Sequence, residues 1–152
     1  MTEGNNAAKA SRIAQTIASD CVGARIRMLN RAISRIYDEE VRSHGIRFSQ
    51  MNILTVVTLH GPIRPVDVGR LLSLEKSTLS RNVGLMEAKG WLASRSGEGN
   101  SRLLEVTARG RRLLKGAEPA WRAAQARVTA LLGEAASAEL RRAADRIGES
   151  AT

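Results

Sequence analysis

The segment that most constrains the fold of this chain is residues 73–92, which reads as a short amphipathic helix ending on glycine before a strand. Its apolar residues Leu79, Val83 and Met86 have the i, i+4, i+7 spacing of one helical face. The opposite face is small, hydroxylic and basic, with no acidic residue at its centre: Ser77, Thr78, Ser80, Arg81, Gly84, Leu85 and Ala88. Small side chains let a helix enter a major groove, and hydroxyl and guanidinium groups bond phosphates and base edges. The pattern therefore favours nucleic-acid binding, although an ordinary solvated helix can also have such a face.

The charge distribution favours the same interpretation. The chain has 152 residues, a net charge of +9 and a pI near 11.1, and its length predicts one domain, residues 1–152. Residues 61–112 contain ten basic and five acidic side chains, so this third of the chain carries more than half of the excess charge. A basic excess around a helical motif is typical of a phosphate-binding surface. Charges spread over short elements fit a membrane surface less well.

Several other classes of protein are disfavoured. No segment has the apolar length of a membrane-spanning helix, and the polar N-terminus does not resemble a secretory signal. The only cysteine, Cys21, excludes an internal disulfide and suits a reducing cytoplasm. The two histidines, His44 and His60, are far apart and have no cysteine near them. We expect a cytoplasmic protein with no metal, no cofactor and no membrane partner, and not an enzyme.

Helix-start and helix-stop residues divide the first half of the chain. A long helical pattern runs from about residue 10 to residue 44 and closes at Gly45. Ser49 is the expected N-cap of a second helix that Gly61-Pro62 ends, and Pro65 suits the first turn of a third. Three residues, 73–75, then lead into the amphipathic helix. This spacing is typical of a helix-turn-helix.

The second half begins with a predicted β-hairpin. Strands are expected at residues 91–95 and 102–106, around a loop rich in Gly, Ser and Asn. A hairpin beside a recognition helix is a wing, whose arginines can enter a minor groove or hold phosphates. Thr107 should cap a long helix over residues 108–132, and a last helix is expected over residues 137–147.

This order of elements resembles the multiple-antibiotic-resistance-regulator (MarR) family of bacterial winged-helix repressors. The resemblance rests on four segments: residues 65–72 (PVDVGRLL), 77–81 (STLSR), 86–92 (MEAKGWL) and 106–114 (VTARGRRLL). It implies a mainly α fold with a small β-hairpin wing. Residues 49–107 would form the winged helix-turn-helix lobe that binds DNA, and residues 10–44 and 108–148 the dimerisation helices. The family pattern further implies a homodimer on double-stranded DNA with a near-palindromic operator.

The predicted DNA-binding residues lie on the recognition helix and the wing: Lys76, Ser77, Thr78, Ser80, Arg81, Gly84, Arg95, Asn100 and Arg102. The wing departs from the family's Asp-x-Arg pattern. Counting back from Thr107 puts Glu98 at the aspartate and Asn100 at the arginine, whereas matching Arg102 to the arginine puts Asn100 at the aspartate. The sequence leaves both registers open, along with a solvated role for Arg102.

Three further residues have both a functional and a structural interpretation. One branch of the family senses peroxides through a cysteine on its first helix, but Cys21 lies on an apolar stripe, where cysteine usually packs as a small hydrophobe. Tyr37 and Trp121 are candidates for an effector pocket, and a tryptophan on the apolar face of a long helix is more often part of the core.

The sequence thus predicts a homodimeric transcriptional regulator, a repressor that a small-molecule effector releases. The alternatives are a redox-responsive regulator acting through Cys21 and a winged-helix module that binds protein instead of DNA.

Overall fold

The computed structural model describes residues 2–150, with side chains for residues 6–99 and 101–148. Seven α-helices and one two-stranded antiparallel sheet are present in this range. The elements in chain order are α1 (Thr2–Asp20), α2 (Val22–Val41), a 3-10 turn (Arg42–His44), α3 (Phe48–His60), α4 (Pro65–Leu72), α5 (Lys76–Ala88), β1 (Leu92–Ser96), β2 (Arg102–Val106), α6 (Ala108–Leu132) and α7 (Glu134–Ser150). The mainly helical fold with a hairpin wing is as the sequence predicted. None of the helices in the described range is both long and apolar enough to span a bilayer.

Two compact units divide the chain, one ending at Arg35 and the other beginning at Ile36. The first contains α1 and the larger part of α2. The expected single helix over residues 10–44 is wrong, because the helix is interrupted at Cys21 and ends in a 3-10 turn. At the interruption, the Arg25 guanidinium donates to the carbonyls of Ala18 (3.3 Å) and Ser19 (3.2 Å), which the amides of Val22 and Gly23 would bond in a continuous helix.

The second unit is built around α3, which packs against α4, β2 and α6. Ile53 and Leu54 are fully buried there, as are Val41 from the end of α2 and Leu104 from β2. The N-cap of α3 is Arg47 and not the expected Ser49. Two side chains fix this earlier start: Asp38 accepts from the Phe48 amide (2.7 Å) and Gln50 accepts from the Arg47 amide (3.2 Å).

The hairpin is attached firmly to the rest of this unit. β1 pairs with β2 from Leu92 opposite Val106 to Ser96 opposite Arg102, and Ile63 forms an isolated bridge with Leu104. The first strand starts one residue later than expected, because the Trp91 amide bonds the Met86 carbonyl (2.9 Å) in the turn that ends α5. The residue before β1 is therefore bonded to the end of α5, and the middle of β2 is bonded to the segment between α3 and α4.

The helices that follow the hairpin begin where the sequence predicted or earlier. The Thr107 side chain accepts from the Gly110 amide (3.0 Å) and caps α6, which spans the expected residues. Gly133, with a φ of 83°, ends α6, and α7 starts at the next residue. α7 is consequently longer than the predicted 137–147.

Candidate nucleic-acid interface

The predicted division of α5 into an inner and an outer face is confirmed. Leu79, Val83 and Met86 are 4%, 2% and 0% exposed and anchor the helix to the core. The opposite side is exposed at every predicted position: Ser77, Thr78, Ser80, Arg81, Gly84, Leu85 and Ala88. Neither Lys76 nor Arg81 forms an ion pair with a described residue. The outer face therefore presents hydroxyl groups and unneutralised positive charge to solvent.

A tight turn fixes α5 against α4. Ser73 adopts a left-handed conformation (φ 51°), and the Leu74 amide donates to the Gly69 carbonyl (2.9 Å). A Cβ at Gly69 would lie 3.3 Å from the Leu74 carbonyl oxygen, so a side chain there would press on the turn. The predicted helix-turn-helix is thus present, with Pro65 at the start of its first helix.

The acidic residue of α4 is held between two arginines. Asp67 accepts from Arg64 at 2.8 Å and also pairs with Arg70. The hydrogen bond from Arg64, helped by the charges of Arg64 and Arg70, outweighs desolvation and lowers the pKa of Asp67. Both of these arginines are therefore neutralised in part within α4 itself.

On the wing side, α5 is connected to both hairpin strands through Glu87. The Arg102 guanidinium donates to the Glu87 carboxylate (2.8 Å) and to the Ser94 hydroxyl (2.7 Å), and the Ser94 hydroxyl donates to the same carboxylate (2.5 Å). Partial burial raises the pKa of Glu87, but the bonds from Ser94 and Arg102 and the charge of Arg102 outweigh it, so the pKa lies below its ordinary value. The acidic partner of the wing arginine thus lies on the recognition helix and not within the wing.

The two wing arginines lie on opposite faces of the hairpin. Arg95 pairs with Leu103 and Arg102 with Ser96 in the strand register, so their side chains alternate between faces. Arg95 forms an ion pair with Glu105 at 3.3 Å. Only Arg102 faces α5. A second 3-10 turn, Glu98–Asn100, lies at the tip of the wing, and the Asn100 side chain lies outside the described residues.

A second group of cations lies on the side of α5 that faces away from the wing. A groove of about 780 Å³, which we call the basic groove, is lined by Asp38, Arg42, Gly45, Ile46, Arg47, Ser49, Gln50, Arg81, Asn82, Leu85 and Lys89. Lys89 donates to the Gly45 carbonyl (2.8 Å) and lies over the Trp91 ring at 4.4 Å. Sequence reasoning did not place Arg42, Arg47 or Lys89 near Arg81. The basic residues on both sides of Gly45, Arg42 and Arg47, are the sequence signal that could have indicated a basic surface here.

A further groove of about 960 Å³ separates α4 and α5 from the wing. Its lining includes Lys76, Ser80 and Arg102, three of the predicted DNA-binding residues, beside the apolar Leu79 and Val83. The recognition helix is therefore bordered by a groove on each long side, one shared with the wing and the other with the turn between α2 and α3.

The two candidate effector residues differ in accessibility. Tyr37 is buried, stacks on Phe48 with 4.2 Å between ring centroids, and donates to Gln125 Oε1 (2.5 Å). Burial raises the pKa of its hydroxyl. Trp121 and Gln125 line a shallow groove of about 610 Å³ along α6, and Tyr37 is not part of that lining. Gln125 lines this groove together with Trp121 and also accepts the hydrogen bond from Tyr37.

Cys21 lies at the interruption between α1 and α2 and is partly exposed as a free thiol. In the described part of the chain, no three His, Cys, Asp or Glu side chains lie close enough to share a metal ion.

Comparisons with known proteins agree with this geometry. Residues 44–103 match the model of the MarR family. The uncharacterized HTH-type transcriptional regulator YwoH of Bacillus subtilis (strain 168) is 28% identical over 76 residues, which cover 50% of this chain and 56% of YwoH. The match therefore spans only about half the length of this curated relative.

Solved structures match over more of the chain. The M. tuberculosis transcriptional regulator MosR has a TM-score of 0.75 at 29% identity, with 88% of this chain and 96% of MosR covered. A second MosR structure, a complex with DNA, matches with the same score and identity. Mutant MarR from E. coli, complexed with operator DNA, has a TM-score of 0.76 at 19% identity over 87% of this chain and 96% of MarR, a likeness that concerns the fold alone. The family-model match over residues 44–103, the fold and the helix-turn-helix with its wing together show that this chain is similar to the MarR family of winged-helix transcriptional regulators.

Proposed function

We propose that the protein is a sequence-specific DNA-binding regulator that inserts α5 into the major groove of an operator. The observation that carries this proposal is the outer face of α5, where Arg81 is exposed among hydroxyl groups and has no acidic partner among the described residues. Base edges in the major groove offer acceptors that suit such donors. Related MosR has a structure in complex with DNA, which supports the same role here.

The remaining predicted contacts are assigned by their position around α5. Lys76, Ser77, Thr78, Ser80 and Gly84 would lie in or beside the groove, and Arg102 would meet the DNA backbone from the wing. Arg95 and Asn100 are secondary wing candidates. Residues 49–107 would then be the DNA-binding lobe of one MarR-like domain that spans residues 1–152.

Arg81→Ala tests this assignment. We expect the variant to lose about 1–3 kcal/mol of operator affinity, with little change in melting temperature, because the side chain is exposed. Arg141→Ala, at an exposed position on α7, removes the same charge far along the chain and serves as the matched control. Fluorescence anisotropy with operator and random duplexes measures both. If stability falls together with affinity, or if the control loses as much affinity, Arg81 does not read the operator.

We further propose that the protein acts as a homodimeric repressor on a near-palindromic operator. Two-fold symmetry in the protein would match the symmetry of the DNA. Support comes from the apolar side chains that α1, α2, α6 and α7 leave exposed, among them Ile17, Met28 and Leu131.

Release by a small molecule is the regulatory part of the proposal. Trp121 and Gln125 along α6, with Tyr37 behind Gln125, form the candidate effector site. An effector bound there would act by changing the separation of the two recognition helices, so that both no longer reach their half-sites. We expect a candidate effector to quench the tryptophan fluorescence of the wild-type protein and to release it from the operator. Gln125→Ala should lose both effects.

A further inference from the structure

The basic groove carries more unneutralised charge than any predicted contact site on the wing. Four cations line it, Arg42, Arg47, Arg81 and Lys89, against the single carboxylate of Asp38. The arginines among them form no ion pair with a described residue, whereas the arginines of α4 and of the wing pair with Asp67, Glu87 and Glu105. Like charges gathered around one concave surface create a potential that attracts anions.

Two backbone amides at the start of α3 are already engaged by side chains. The Phe48 amide donates to Asp38 and the Arg47 amide to Gln50. Lys89 donates to the Gly45 carbonyl and lies over the Trp91 ring, contacts that hold its ammonium at the groove without neutralising its charge. The guanidinium groups of Arg42, Arg47 and Arg81 form no ion pair with a described residue and can bind an anion in the groove.

The position of the groove indicates which anion it would meet. A helix in a major groove about 12 Å wide has a sugar-phosphate strand along each of its sides. The wing, with Arg102, lies along one side of α5, and the basic groove lies along the other, where Arg81, Asn82 and Leu85 form its wall. A duplex bound to α5 would bring its second strand towards Arg42 and Arg47.

We propose that the basic groove is a phosphate-binding site for the DNA strand on the side of α5 opposite the wing, with Arg42 and Arg47 as its contacts. This assignment rests on the proposed DNA-binding function. The two arginines hold the strand irrespective of its sequence, while Arg81, at the boundary between groove and helix face, remains free to read bases. The protein thereby contacts both DNA strands at each half-site of the operator.

The test compares Arg42→Gln/Arg47→Gln with Arg112→Gln/Arg141→Gln, a control that removes the same charge at exposed positions outside the groove. Binding of operator and random duplexes is measured by anisotropy over a range of salt concentrations. Each lost phosphate contact should reduce the slope of log affinity against log salt by about 0.9. We expect the groove variant to have a slope lower by about 1.8 per subunit, and an affinity for both duplexes reduced by roughly tenfold or more.

A groove variant whose slope matches that of the control overturns the inference, as does a loss confined to the operator duplex. Unchanged melting temperatures in both variants exclude unfolding as the cause of a loss. A wild-type protein without salt-dependent DNA affinity would overturn the proposed function together with this inference, so the two failures are distinguishable.

Discussion

Glu87 shows how a single carboxylate can serve a surface proposed to bind polyanions. Its bonds to Arg102 and Ser94 join the last turn of α5 to both strands of the hairpin. A negative charge near DNA would by itself weaken binding. We infer that Glu87 is a positioning residue, which holds Arg102 on the face of the wing that is turned towards the recognition helix.

Replacement of Glu87 by glutamine distinguishes the positioning of Arg102 from the repulsion of DNA, because the two effects change DNA affinity in opposite directions. Because the pKa of Glu87 lies below its ordinary value, the carboxylate is charged at neutral pH, and Glu87→Gln removes that charge. We expect DNA affinity to fall by about 0.5–1 kcal/mol, the range of a partly exposed ion pair, although simple repulsion predicts an increase. Equilibrium binding to an operator duplex measures the difference.

Glu105→Gln is the matched control, since Glu105 pairs with Arg95 on the other hairpin face and should not reduce affinity. In an Arg102→Ala background, Glu87→Gln should have no further unfavourable effect, because its partner is absent. Tighter binding by the single Glu87→Gln variant would show that Glu87 only repels the duplex.

Two glycines of α6 give a stability prediction at the same scale. A Cβ at Gly110 would lie 2.2 Å from the Trp91 carbonyl oxygen and 2.9 Å from Val106 Cγ1, whereas nothing lies within 4 Å of a Cβ at Gly116. Gly110→Ala should therefore destabilise the protein by about 1–3 kcal/mol through overpacking. Gly116→Ala should stabilise it by about 0.5–1 kcal/mol through helix propensity. Thermal or denaturant unfolding of the pair tests this, and equal effects would contradict it.

At the scale of elements, local sequence patterns predicted most of the second unit. The Gly61-Pro62 stop gave the end of α3, Pro65 the start of α4 and the capping residue Thr107 the start of α6 to within a residue, because each acts on backbone groups close to it in the chain. The periodicity of α5 likewise gave its buried face. These features depend on neighbours within one helical turn, which are visible in the sequence.

What the sequence did not predict depends on side chains that reach across turns or between elements. The interruption at Cys21 involves Arg25, whose guanidinium bonds carbonyls six and seven residues earlier. The early start of α3 involves Asp38, whose carboxylate accepts a hydrogen bond from the Phe48 amide ten residues later in the chain. The basic groove brings Arg42 and Arg47 beside Arg81, about forty residues away along the chain. Apolar periodicity holds no information about such contacts.

The proposed role of the wing in DNA binding can be measured directly at Arg102. Arg102→Ala should weaken binding to operator and random DNA by similar factors and reduce the salt slope, because a wing arginine mainly meets phosphate or groove potential. Anisotropy titrations at several salt concentrations measure both quantities. Affinity and slope that stay at wild-type values would remove Arg102 from the DNA contacts, and Arg95 would then be the stronger candidate.

At the scale of the whole molecule, the exposed apolar side chains call for a partner surface. In the first unit, Ile13, Ile17, Val22, Ile26 and Met28 are all more than half exposed. In the second unit, Leu131 on α6 and Ile147 on α7 are also largely exposed. Soluble monomers rarely leave so many large apolar side chains in water. A second copy of the chain would cover them, and its two-fold axis would match a palindromic operator.

Deletion of residues 1–18 together with residues 134–152 should therefore yield a monomer or an aggregate with little operator affinity. A gentler test uses two leucines of similar exposure, Leu131 on α6 (73%) and Leu59 on α3 (72%). Leu131→Glu should shift the protein from dimer towards monomer, because the new charge would be buried without a partner in the interface. Leu59→Glu, in the lobe assigned to DNA, should leave the dimer intact. Sedimentation at micromolar concentration measures all of these proteins, and a full-length wild type that sediments as a monomer without DNA would contradict the dimer model.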